Sequence, residues 1–211
     1  NTNDGSLLTF MGANSTNTSA NVNTLNPRAV STLNYNYTFN IATTYTGGSG
    51  NQTRSATSIN NTNWYIADQG GLYTNGTSVA SPVANLRGIK SFGGTVYAMQ
   101  SSSTPAVIAV NTVSATSGGT ITGLPGITND ASAQDFYLIS SGSNGSTYDI
   151  LYTISATSNT AGTIRKFSLV SGTWTANGSY TTTFGGFGLA ATQQGSGAYL
   201  FVSSGQGALT A

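Results

Sequence analysis

This chain predicts an all-β fold, and three features of its sequence carry that expectation. Helix-favouring charged residues are scarce: Glu is absent and Lys occurs only at positions 90 and 166. No window repeats apolar residues at i, i+3, i+4 and i+7 over three helical turns. Short apolar or aromatic runs alternate with Gly, Asn and Ser clusters along its whole length.

The strands are expected, in order, at Leu7–Met11, Trp64–Ala67, Val96–Met99, Ala106–Val110, Phe136–Ile139, Ile150–Ile154, Ile164–Val170 and Tyr199–Val202. Ile150, Tyr152 and Ile154 alternate with Leu151 and Thr153, the period of a strand with two distinct faces. Tyr199-Leu200-Phe201-Val202 is continuously apolar and is expected to be buried on both faces. Turns are expected at Gly47-Gly48, Gly70-Gly71, Asn75-Gly76, Gly93-Gly94, Gly118-Gly119, Asn144-Gly145, Asn177-Gly178 and Gly185-Gly186. Asn-Gly suits a tight hairpin because both central residues of a type I′ turn need positive φ.

Composition argues that these strands pack. Only 5% of the 211 residues are charged, and the formal net charge is +1. Disordered chains combine low hydrophobicity with high net charge and few aromatics. Here 11 Tyr, 8 Phe and 2 Trp supply apolar area to bury. Thr suits a pleated surface, while Asn, Ser and Gly suit the turns.

A weak internal repeat orders the strands. Pro27–Ser31, Thr53–Ser58 and Leu86–Ser91 each carry an Arg followed by small and apolar residues, then Ser. After the second and third come a turn and an aromatic strand, Trp64–Ala67 and Val96–Met99. Phe187–Ala191 followed by Ala198–Val202, and Asp135–Ile139 followed by Tyr148–Ile154, restate the pattern without the Arg. Taking Arg54, Arg87, Asp135 and Phe187 as equivalent starts gives spacings of 33, 48 and 52 residues. A four-stranded β-propeller blade takes about 40–50 residues.

Two units parse into four strands each: 87–92, 95–100, 106–111 and 120–124, then 134–139, 149–155, 163–169 and 173–180. One such sheet cannot bury both faces alone, so successive sheets stack about an axis. Ser55, Gly88 and Gly188 suit the crowded inner strand. The expected architecture is therefore about four blades of a β-propeller, one domain over 1–211. It reads as incomplete at both ends, opening mid-blade at 4–11 and forming part of a larger ring. A β-sandwich is the competing architecture.

The segments Asn26–Ser31, Arg54–Thr57, Asn85–Ile89 with Phe92–Tyr97, and Arg165–Leu169 with Gly172–Trp174 resemble a family of uncharacterised bacterial secreted proteins of β-propeller-like build. The resemblance covers most of the chain and rests on blade motifs alone. It implies the fold and an extracytoplasmic setting; it implies no activity and assigns no functional residue.

Residue types exclude much chemistry. His, Cys and Glu are all absent, so neither a Ser-His-Asp or Cys-His nucleophile nor a typical zinc site can be built. Acid–base work would fall to Asp4, Asp68, Asp130, Asp135 and Asp149, none of them in an Asp-x-Asp spacing. A calcium site is open only to one Asp with carbonyl oxygens, since no EF-hand-type loop occurs. No catalytic residue, cofactor or metal is therefore expected. Arg165-Lys166 is the one basic pair and reads as a solvated strand position, so nucleic acid is not an expected partner. No apolar run approaches the roughly 20 residues of a membrane helix.

Several surface positions are singled out. Arg28, Arg54 and Arg87, read as one recurring position, are candidates to line the end of a central channel, where Arg could hold an anion. The competing role is structural, with each Arg bonding carbonyls or Asp residues between neighbouring sheets. Glycosylation sequons stand at Asn14, Asn17, Asn36, Asn51, Asn60, Asn75, Asn144 and Asn177, with Asn75, Asn144 and Asn177 expected to be the most accessible. Tyr35, Tyr37, Tyr45 and Tyr73, beside polar loops, are candidates to stack on sugars, with core or blade packing as the competing role of each.

The expected function is a non-enzymatic extracellular or cell-surface module, self-assembling or contacting surface glycans. The alternative is part of a polysaccharide-active enzyme whose catalytic residues lie mostly elsewhere.

Overall fold

The structure, a computed structural model, describes residues 1–100, 107–110 (backbone only), 121–127, 130–143 and 145–205. The chain divides into two compact units, Asn1–Gln100 with Ile108–Thr122, and Ser101–Val107 with Gly123–Ala211. Sixteen strands and one 3₁₀ turn, Val22–Thr24, form among the described residues. The fold is all-β.

In the first unit, strands β1 (Leu7–Ala13), β2 (Arg28–Asn34) and β3 (Phe39–Tyr45) make one sheet. Strands β4 (Thr53–Ser58), β5 (Trp64–Asp68) and β6 (Gly71–Thr74) make a second. Strands β7 (Leu86–Phe92), β8 (Thr95–Gln100), β9 (Val107–Val110) and β10 (Ile121–Gly123) make a third. Every sheet follows chain order, and β4 packs beside both β1 and β7.

Strand alternation explains why the sheets stack. In β5, Trp64 and Ile66 join Val30, Tyr45, Ala56 and Tyr73 in the core shared with the first sheet. Tyr65 and Ala67 point the other way and join Leu72, Leu86, Ile89, Val96 and Ala98 in the core shared with the third. All five residues of β5 are buried. A sheet apolar on both faces stays dry only between two neighbours. Thr and Ser hydroxyls stitch the first strands together: Thr9 Oγ1 donates to Ala56 O at 2.9 Å, and Thr57 Oγ1 meets Ser91 Oγ at 2.7 Å.

In the second unit, β11 (Ala133–Ile139), β12 (Ile150–Ser158), β13 (Ala161–Val170) and β14 (Thr173–Thr182) form a four-stranded antiparallel sheet. β15 (Gly186–Gln194) and β16 (Gly197–Ser204) form a hairpin, whose β15 packs on β11 and β12. Gly186 is required there, because a Cβ would run into the Ile154 side chain.

The first strands of four sheets share one irregularity. Arg54 in β4, Arg87 in β7, Gln134 in β11 and Phe187 in β15 each stand opposite no residue of the second strand. Each is the extra residue of a β-bulge. In β11 the recurrent position is thus Gln134, one residue before the expected Asp135. The residue after the bulge reaches toward the next first strand. Ser55 Oγ accepts the Ile89 N–H at 2.8 Å, and Asp135 Oδ2 accepts the Leu189 N–H at 2.7 Å.

Three local expectations are corrected. Residues 7–13, expected mid-sheet, form an edge strand of the first sheet among the described residues, and five sheets are present there where about four units were expected. Asn177-Gly178 is not a hairpin turn. It is an insertion within β14 opposite Lys166, with Gly178 at φ +118°, while Ser171-Gly172 (φ 49° and 81°) makes the β13–β14 turn. The positive φ that suits Asn-Gly to hairpins serves a bulge equally well. Tyr199-Leu200-Phe201-Val202 is not buried on both faces: Tyr199 and Phe201 are each 59% exposed. Only one face of β15–β16 meets a neighbouring sheet among the described residues. Gly118-Gly119, Ala106 and Asn144 lie outside the described residues.

Candidate functional site

The three arginines do not share one position. Arg54 and Arg87 are the bulged residues of β4 and β7, but Arg28 opens β2 and is wholly buried. Its Nη1 pairs with Asp68 Oδ2 at 2.6 Å, and its Nη2 donates to the Asn23 and Gly48 carbonyls, both at 2.8 Å. Tyr45 Oη donates to the same Asp68 oxygen at 2.8 Å, and the Gly70 N–H donates to Asp68 Oδ1 at 2.8 Å. A buried charge persists only when paired and hydrogen-bonded, so Arg28 clasps the first sheet to the second and lines no channel.

Arg54 Nη1 donates to Asn85 Oδ1 and to Leu86 O, both at 2.8 Å, tying the second sheet to the third. Burial, reinforced by the nearby Arg87 charge, pulls Arg54 down to about 10. The Nε atoms of Arg28 and Arg87 are buried without a hydrogen-bond partner among the described residues.

The carboxylates are engaged in local structure. Asp4 lies in an exposed loop; the Ser6 N–H and the Thr2 and Ser6 hydroxyls hold it well below the usual carboxylate range. Asp130 pairs with Arg165. Asp149 accepts the Ser141 N–H at 2.7 Å and hydroxyl at 2.6 Å. Asp135 holds Leu189 as described, and Asp68 holds Arg28. No three potential metal ligands cluster among the described residues. No helix there is long and apolar enough to cross a membrane.

The four tyrosines separate into two pairs. Tyr45 and Tyr73 are buried, their ring centroids 4.7 Å apart. Burial pushes both phenols above their usual range, and these rings are core, not a sugar platform. Tyr35 and Tyr37, at 84% and 86% exposed, are the reverse. They occupy the tip between β2 and β3, where Asn34 Oδ1 accepts the N–H groups of Asn36 at 3.0 Å and Thr38 at 2.9 Å. The Tyr37 N–H also donates to Asn34 O at 3.0 Å, and Tyr37 itself lies at φ 61°.

Sequon exposure departs from expectation. Asn14, Asn17, Asn36, Asn60 and Asn177 are exposed, whereas Asn51 and Asn75 are half-buried. Asn75 Oδ1 accepts the Trp64 N–H at 2.7 Å, and its amide donates to Thr62 O. Asn75 is a structural latch on the start of β5, which is why it is not among the most accessible.

Two sheet faces carry exposed apolar side chains. In the first sheet Leu8, Leu33 and Phe39 stand abreast, with Phe10, Ser31 and Ile41 in the parallel row. Leu8, Phe10, Phe39 and Ile41 are all exposed, Phe39 at 59%. In the fifth sheet Phe201 lies beside Ala190 and Tyr199 beside Thr192 on the exposed face. The signal was present as alternation in Phe39-Asn40-Ile41, but alternation does not say which face is covered.

No protein-family model matches this chain, and neither a curated protein nor a solved structure matches it significantly.

Proposed function

We propose that this chain is a non-enzymatic structural and interaction module of the extracellular or cell-surface space. On this reading it is built of β-propeller-type blades and associates with copies of itself through bare sheet faces. The blade reading is supported by sheets that follow chain order, by first strands packed side by side, and by one bulge at the same place in four of them. The extracellular setting is supported by the Asn/Thr/Ser/Gly-rich, charge-poor composition.

The observation that carries the functional reading is the first-sheet face that exposes Leu8, Phe10, Phe39 and Ile41. Both faces of the second sheet, by contrast, are covered by neighbouring sheets. Exposed apolar patches of this kind mark interaction sites, and a net charge of +1 opposes self-association little.

Sedimentation velocity across a concentration series tests the reading. Larger species should grow with concentration and persist in high salt, because no charge pair is involved. The variant Leu8→Thr/Phe39→Thr should shift the distribution to monomer without lowering the melting temperature. A monomer at every concentration, or an assembly indifferent to these substitutions, would refute it.

A further inference from the structure

The hairpin tip between β2 and β3 is a second surface, and its chemistry differs from that of the sheet face. Tyr35 and Tyr37 are the two most exposed large hydrophobic residues described. Four hydrogen bonds within Asn34–Thr38 fix the backbone beneath them: Asn36 N–H and Thr38 N–H to Asn34 Oδ1, Tyr37 N–H to Asn34 O, and Asn34 N–H to Thr38 O at 3.2 Å. Tyr37 holds φ 61°, a conformation that Gly or Asn adopts far more cheaply than a bulky aromatic. A ring is therefore kept where the backbone alone would favour its absence. Such local cost, observed directly in φ, motivates a functional reading.

The surroundings define the ligand. From Ala29 to Thr53 the chain has no charged residue, so the tip offers no side-chain charge to pair with an ionic partner. Asn36, Thr38 and Asn40 are exposed amides and a hydroxyl between and beyond the rings. The face of a tyrosine ring is electron-rich, and the axial C–H face of a pyranose presents polarised hydrogens to it. Amides and hydroxyls at the ring edge match vicinal sugar hydroxyls as donors and acceptors. Prior fixation of the tip removes ordering cost from binding.

We infer that the Tyr35–Tyr37 hairpin binds uncharged polysaccharide, the two rings stacking on pyranose faces and Asn36 and Thr38 meeting hydroxyls. The inference deepens the interaction-module reading and rests on it, but uses a different surface from the one proposed for self-association.

Depletion of the full chain from solution by insoluble cellulose, chitin and curdlan tests it. At least one of the three should bind the protein, and Tyr35→Ala/Tyr37→Ala should weaken that binding by about tenfold or more, equivalent to about 1.4 kcal/mol. Tyr35→Phe/Tyr37→Phe should keep binding within about twofold of that of the unaltered chain, because the ring face and not the phenol makes the contact. Tyr180→Ala, which removes another exposed tyrosine on β14, should change nothing. Unchanged circular dichroism and melting temperature would show that the alanine variant is folded. Absence of binding to all three polysaccharides, or binding that survives loss of both rings, overturns the inference. So does an alanine variant altered only in sedimentation, which would assign the rings to a protein contact. Loss of self-association in Leu8→Thr/Phe39→Thr bears on the other surface alone, so the two readings fail separately.

Discussion

Asp135 Oδ2 accepts the backbone N–H of Leu189 at 2.7 Å, joining the first strand of one sheet to the first strand of the next. Ser55 and Ile89 stand in the same relation in the first unit, at 2.8 Å. In each case the acceptor follows a bulged residue, and the donor lies two residues after the bulge of the next first strand. The bulge turns a side chain that would otherwise lie along its own sheet toward the neighbouring one.

Asp135→Ala removes an ionised acceptor from Leu189, whose side chain is buried. The expected loss is about 1–3 kcal/mol in urea unfolding, since hydrogen bonds to charged groups exceed neutral ones. Ser55→Ala should cost less, about 0.5–1.5 kcal/mol. Equal losses at the two sites would show that the carboxylate charge contributes nothing.

Arg28 and Asp68 form a buried pair, so removing either partner strands the other. Arg28→Met and Asp68→Leu should each destabilise by about 3–5 kcal/mol, while the double variant recovers much of that loss. A double-mutant cycle by chemical denaturation measures the coupling. Strictly additive losses would mean that the Asn23 and Gly48 carbonyls and Tyr45, rather than the ion pair, dominate the cluster.

Gly47 lies against the Arg28 guanidinium so closely that a Cβ would overlap it. Gly47→Ala should therefore cost about 1–3 kcal/mol, the range for overpacking a tight site. In an Arg28→Met background the same change should be milder, because the shorter, flexible side chain can give way.

Alkaline stability follows from the tyrosines. Burial raises Tyr45, Tyr65, Tyr73, Tyr97, Tyr137 and Tyr152 above the ordinary value near 10. The unfolded chain then loses these protons first, so stability is full below about pH 10 and falls as pH rises through the folded values. Arg54, pulled down to about 10, works in the opposite sense over the same window, but it is one group against six. Urea midpoints measured from pH 8 to 11 should be level and then drop. A midpoint that rises above pH 10 would contradict this.

Much of the fold was legible because strand period and turn chemistry are local properties. The third and fourth sheets follow their expected strand boundaries within a few residues, from 86–92 through 173–182. Ser55, Gly88 and Gly188, expected on inner strands, do lie just after the bulges of β4, β7 and β15. The misreadings concern neighbours distant in sequence. Arg28 resembled Arg54 and Arg87 in its local motif, yet its partner Asp68 lies 40 residues on. Asn75 read as an open turn, but the Trp64 N–H, 11 residues back, occupies its side chain. Of the candidate tyrosines, sequence could not separate Tyr35 and Tyr37 from Tyr45 and Tyr73, since all four flank polar loops.

By itself the sequence determined that the fold is all-β and that no His, Cys or Glu is present for chemistry. Those conclusions depend on residue type and period two, which survive any arrangement of the strands. Tertiary structure alone decided which apolar faces are covered and which aromatics meet water. Tyr45 and Phe39 end and begin the same strand, one buried against Tyr73 and the other open to solvent. Coverage is a property of what packs against a face, and that is set by chain segments far from it.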